Sequence, residues 1–111
     1  MTKEEFIEIL KKLNIPTNEG IQNDKYTDIY PRLVFWDYVW DDVNSSNDVY
    51  KTVCTYQVSF FSRLPRDKKL IELKHLLNDV GLRPIISHEY VEENKDKYFH
   101  SYFSIDLIEE I

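Results

Sequence analysis

Arg32-Leu33-Val34-Phe35-Trp36-Asp37-Tyr38-Val39-Trp40 is the stretch on which the fold turns. Aromatic and β-branched side chains fill it and no Gly or Pro interrupts it, the composition of a pleated, half-buried surface, so it predicts a strand. Asp41 to Asp48 is rich in Asp, Asn and Ser and reads as a connection. Tyr50 to Ser62 then returns to strand composition through Val53, Tyr56, Val58, Phe60 and Phe61, which makes the pair a long antiparallel hairpin.

On the N-terminal side, Thr2 and Glu5 have capping-box spacing, and Phe6, Ile9, Leu10 and Leu13 follow at helical intervals. A helix is expected to about Leu13, with Asn14 as its stop and Pro16 preventing continuation. Thr17 to Tyr30 is polar and without a period, and reads as a long loop or arm. On the C-terminal side, Pro65 suits a helix start with Asp67 behind it, and Leu70, Leu73, Leu77 and Val80 form an apolar stripe ending at Gly81. Ile85 to Val91 and Tyr98 to Leu107 read as strands joined by a charged tip, Glu92 to Lys97. The expected fold is a single α+β domain spanning 1–111: a mainly antiparallel sheet built from two hairpins, two helices packed on one face, in the order α-β-β-α-β-β.

Composition narrows the function classes. With 111 residues the chain accommodates one core, and 42% hydrophobic and 31% charged residues place it among globular proteins. A net charge of −6 disfavours a protein that grips nucleic acid or anionic membranes, because phosphate neutralisation needs clustered Lys and Arg. The single cysteine, Cys54, has no internal partner, and no signal-like apolar run precedes Leu13, so folding in a reducing cytoplasm is expected. Eight Tyr and six Phe, against two Gly, favour a surface that is wet in one state and buried in another.

Candidate chemistry is thin. His88, Glu89 and His100 resemble a zinc set in type, but neighbours on a strand point to opposite faces, so His88 and Glu89 cannot share an ion without a bulge. His75 lies beside the helical stripe with no ligand-spaced neighbour. Cys54 falls within a strand and lacks a local base. Asp37, Asp41 and Asp42 suit a solvated edge and turn better than a glycosidase pair. Gly20 and Gly81 are isolated, so no phosphate-cradling loop exists. Arg63, Arg66, Lys68 and Lys69 form a short basic patch near the second helix, suited to solvating its start or to meeting an acidic partner. No catalytic, cofactor or metal residues are assigned.

Beyond about Pro31 the chain resembles a family. The run Tyr30-Pro31-Arg32 through Trp36-Asp37-Tyr38-Val39-Trp40-Asp41-Asp42, then Thr55-Tyr56-Gln57-Val58-Ser59-Phe60-Phe61-Ser62, is similar to small proteins of the head–tail region of Gram-positive siphophages and prophages. Pro65-Arg66 with Lys69-Leu70, Pro84-Ile85-Ile86 with His88-Glu89-Tyr90, and Phe99-His100-Ser101-Tyr102-Phe103 continue the pattern. The blocks are specific as an ordered group and weak singly. The resemblance implies a tail-completion protein, either a tail terminator or a head–tail joining protein, with two helices packed on a sheet. It further implies ring assembly, commonly hexameric, around a channel that DNA crosses as cargo, and no catalytic constellation.

The expected role is therefore a virion structural subunit, assembled in the bacterial host cytoplasm, with itself, the tail tube protein and head–tail connector proteins as partners, and no membrane. A non-catalytic binding module acting as monomer or dimer is the alternative; a metal-dependent hydrolase using His88 and His100 comes third. Candidate contact residues are Tyr26, Tyr30, Trp36, Tyr38, Trp40, Asp41, Asp42, Arg63 and Arg66. The arm Thr17 to Tyr30 and the connection Asp41 to Asp48 are expected to become ordered on assembly.

Overall fold

The computed structural model describes residues 1–20, 29–44 and 50–111, with the side chains of Asn44 and Tyr50 excepted. Seven elements follow one another: α1 Lys3–Leu13, β1 Thr17–Glu19, β2 Arg32–Asn44, β3 Tyr50–Ser62, α2 Lys68–Asp79, β4 Ser87–Glu93 and β5 Asp96–Glu109. The class is α+β, but the order is α-β-β-β-α-β-β and the five-stranded sheet is mixed, running β1-β2-β3-β5-β4. Every pair is antiparallel except β1 with β2.

The extra strand corrects, at Thr17–Glu19, the reading of Thr17 to Tyr30 as a long loop or arm. Thr17–Glu19 is polar and three residues long, so it carries no strand signal of its own; its conformation comes from pairing with Leu33–Phe35. Leu33 N–H donates to Pro16 O at 2.9 Å and Gly20 N–H to Phe35 O at 2.8 Å. Parallel neighbours need a crossover of about a dozen residues, which 20–31 supply. Gly20, at φ +88°, turns the chain away.

The ends of α1 form as their residues demand. The Thr2 hydroxyl accepts from Glu5 N–H at 3.2 Å, Glu4 and Glu5 favour the positive helix end, and Asn14 stops the helix in the left-handed conformation, φ 54°. In α2 the capping residue is Asp67, whose carboxylate accepts from Lys69 N–H at 2.8 Å. Pro65 therefore lies before the helix rather than in its first turn. Val80 is half exposed and sits past the last turn, so the buried stripe is Leu70, Leu73 and Leu77.

These stripes and one face of the sheet make a single core. Phe6, Ile9, Leu10 and Leu13 of α1 join the α2 leucines over Leu33 and Phe35 of β2, alternate residues Cys54 to Phe60 of β3, and Phe103, Ile105 and Leu107 of β5. Phe6 meets Phe35 edge-on at 5.8 Å, and Phe35 meets Tyr56 at 5.8 Å. Each such fully buried apolar side chain contributes about 1.5–3 kcal/mol.

Two boundaries differ in ways that matter for function. β2 continues through Asp41–Asn44, so the first half of the expected connection is strand: Asp41, Asp42 and Val43 pair with Val53, Thr52 and Lys51, and Thr52 donates to Asp42 Oδ1 at 2.8 Å. Cross-strand pairing outweighs the poor strand propensity of Asp and Asn. The remaining part of that connection, 45–48, and most of the arm, 21–28, lie outside the described residues. At the other hairpin the charged tip shrinks to Asn94-Lys95, both at positive φ as a two-residue primed turn requires, with Glu92 and Glu93 in β4 and Asp96 and Lys97 in β5.

Candidate interaction surface

One strand carries the most exposed aromatic surface. Along β2, Arg32–Phe35 are buried, whereas Trp36, Tyr38, Val39, Trp40 and Val43 are all exposed, Trp40 by 67%. β1 accompanies β2 only as far as Phe35, so from Trp36 onward no strand among the described residues pairs with its outer side. An open strand edge flanked by apolar side chains is a template for another chain.

A bulge distributes these side chains. The register with β3 shifts between Asp37 and Val39, leaving Tyr38 unpaired. Strict alternation would put Trp36, Tyr38 and Trp40 on one face; the inserted residue instead puts Trp40, opposite Cys54, on the helix-bearing face and leaves Trp36 on the other. Tyr38 reaches across β3 on the open face to the Ser104 hydroxyl, 2.9 Å away. The Trp40 indole N–H donates to the Asp37 carboxylate. Asp41 and Asp42 follow directly, so the edge is aromatic and acidic together.

At the opposite end of the open face the aromatics are already in use. Arg32 lies beneath the rings of Tyr30 and Phe61, at 4.4 and 4.6 Å, and Arg63 packs on Tyr30 at 4.2 Å. Phe61 stacks on His100 at 4.8 Å, and His100 meets Tyr102 at 4.9 Å. Arg63 also donates to Asp96 Oδ1 at 2.7 Å and to Lys97 O at 2.6 Å. Arg32 is 6% exposed; it donates through Nη1 to Ile29 O at 3.2 Å, while its Nε has no hydrogen-bond partner among the described residues. Ring faces replace part of the hydration this cation loses, each contact worth about 0.5–2 kcal/mol. Tyr30 and Arg63 thus serve the fold itself.

The candidate residues therefore divide. Trp36, Tyr38, Trp40, Asp41 and Asp42 share the open edge, Tyr30 and Arg63 belong to the stacked end, and Tyr26 lies outside the described residues. Arg66 stands apart, on the rim of a groove of about 440 Å³ between α2 and the segment entering β4. Leu70, Ile71, Pro84 and Ile86 line it, with Lys74 and His88 beside Arg66. Residue-by-residue reading passed over this groove, although Ile71, one position off the Leu70-Leu73-Leu77 stripe, signalled an apolar side chain turned outward.

The chemistry-bearing residues do not converge. His88 bonds to the Ser101 hydroxyl at 2.7 Å on the helix side, while Glu89 meets His100 Nδ1 at 2.9 Å on the other face. Among the described residues no three His, Cys, Asp or Glu side chains gather as a metal site. Cys54 is fully buried, and burial, with Glu109 alongside, pushes its thiol up to about 12. Burial likewise raises Tyr56, whose hydroxyl donates to Glu109 Oε2 at 2.8 Å. Among the described residues no helix is long and apolar enough to cross a membrane. No family model matches the chain, and no curated protein matches its sequence.

Proposed function

We propose that this chain is a non-catalytic subunit of a tailed-phage or prophage particle that forms a ring at the head–tail junction, as a tail terminator or a head–tail joining protein. The observation that carries self-assembly is the edge of β2: among the described residues no strand covers its second half, which exposes two Trp, a Tyr and two Val. Enriched Tyr and Trp at low flexibility are what protein contact surfaces use. The resemblance of the blocks from Tyr30 to Phe103 supplies the place of assembly. A net charge of −6 suits a ring that DNA must cross without sticking.

Two measurements test this reading. Sedimentation velocity of the purified protein, with electron microscopy of the same sample, is expected to show closed rings; strictly monomeric or dimeric protein would favour the binding-module alternative. Tails made without the protein are expected to be overlong if it is a terminator, or of normal length but unattached if it joins head to tail. Particles that assemble normally without it would sink the role.

A further inference from the structure

We infer that the acidic-aromatic edge of β2, led by Trp40, docks in the groove between α2 and β4 of a second copy of this chain, head to tail. This rests on the self-assembling role proposed above and names the two surfaces that would make the contact.

The two surfaces are complementary in apolar character and charge. Trp40 is a large apolar side chain left 67% in water on the helix-bearing face, with Asp37 and Asp42 on that face and Asp41 and Val43 turned to the open face of the same edge; the described cations nearby are Lys51, opposite Val43, and Lys3, which lies near Asp37. The groove offers an apolar floor and walls in Leu70, Ile71, Pro84 and Ile86, and its cationic rim, Arg66 and Lys74, contains no carboxylate among the described lining residues. Arg66 has no carboxylate partner within 4.0 Å among the described residues. Two copies each carrying −6 repel one another, so a contact between them requires a place where opposite charges face. The acidic edge against the cationic groove is such a place.

The contact cannot form within one chain. Trp40 pairs with Cys54, which pairs with Leu107, whereas β4 lies beyond β5 and reaches only to Tyr102. Five residues of strand, roughly 17 Å, and three strand spacings, roughly 14 Å, separate edge from groove. Because the two patches differ, their contact is heterologous, and such contacts close into rings when the rotation per subunit allows.

The test is sedimentation velocity on full-length wild type and three variants, each first shown by its cooperative melt to be folded, since Asp42→Lys also removes the acceptor of the Thr52 hydroxyl. Trp40→Ala is expected to weaken association at least roughly thirtyfold, as for a central Trp in a contact. Asp41→Lys/Asp42→Lys and Arg66→Glu/Lys74→Glu are each expected to be monomeric where wild type is assembled. An equimolar mixture of these two charge-reversed proteins should regain the wild-type mass, since each edge then meets an opposite groove. If wild type assembles and the groove variant assembles equally well, the docking mode is overturned while self-assembly stands. If wild type stays monomeric up to millimolar concentration, both fall.

Discussion

β2 is one strand with two fates. Arg32–Phe35 and Trp36–Val43 have similar aromatic and β-branched character, yet the first half is buried and the second is bare. The first half has β1 on one side, β3 on the other and α1 above Phe35; among the described residues the second half pairs with β3 alone, and Tyr38 and Trp40 meet local polar groups, Ser104 and Asp37. Strand formation follows from residue type, while burial follows from what lies alongside. A strand that keeps its apolar composition past the end of its cover points to an interface.

The sharpest break of this comparison is a pair of substitutions on either side of it. Phe35→Ala is expected to destabilise the monomer by about 3–5 kcal/mol, because Phe35 is 3% exposed and bridges Phe6 to Tyr56. Denaturant titration measures it; a loss under about 1 kcal/mol would place the ring at the surface. The covering layer answers next. Leu73→Ala or Leu77→Ala should cost about 2–5 kcal/mol, since both are fully buried beneath α2, and a change below about 0.5 kcal/mol at both would assign the wrong helix face.

Alkaline titration sharpens the comparison from the covered side. The Cys54 thiol, raised from 9.0 to about 12 by burial, keeps its proton in the folded state where the unfolded chain has lost it. Its contribution is full below pH 9 and falls as pH rises toward 12, on the order of 1 kcal/mol by pH 10. Tyr56, also raised by burial, acts in the same direction above its ordinary value of 10.0. Lys3 is raised chiefly by its 2.6 Å hydrogen bond to Glu19, so its contribution is full below 10.5 and lost at higher pH. Urea midpoints should therefore fall between pH 9 and 11, less steeply in Cys54→Val; identical slopes for the two proteins would mean that the thiol titrates freely.

Smaller effects complete the series. Thr2→Ala removes the cap of α1 and should cost about 1 kcal/mol in the same titration. Trp40→Ala, across the boundary from Phe35, should change monomer stability by no more than about 0.5 kcal/mol. A loss of several kcal/mol there would show that Trp40 belongs to the core and that the edge is not bare.

Signals local to the sequence settled much of this architecture. The cap at Thr2, the stop at Asn14, the stripe Leu70-Leu73-Leu77 and the span Tyr50–Ser62 each follow from residue type and period, because a few consecutive side chains suffice to favour their backbone. The α+β class came from the same reading, which also named Trp36, Tyr38 and Trp40 as candidate contacts. What only tertiary structure decided depends on partners distant in the chain. Thr17–Glu19 is a strand because β2 is beside it, and Asp41–Asn44 is one because β3 holds it. Tyr30 and Arg63, candidates by type, are occupied by Arg32 and Asp96. The bulge at Tyr38 sends Trp40 to the opposite face from Trp36, and the groove beside Arg66 exists only where α2 meets the entry to β4. Residue type sets what a segment can bury, whereas pairing and cover, contributed by residues far away in sequence, set what it does bury.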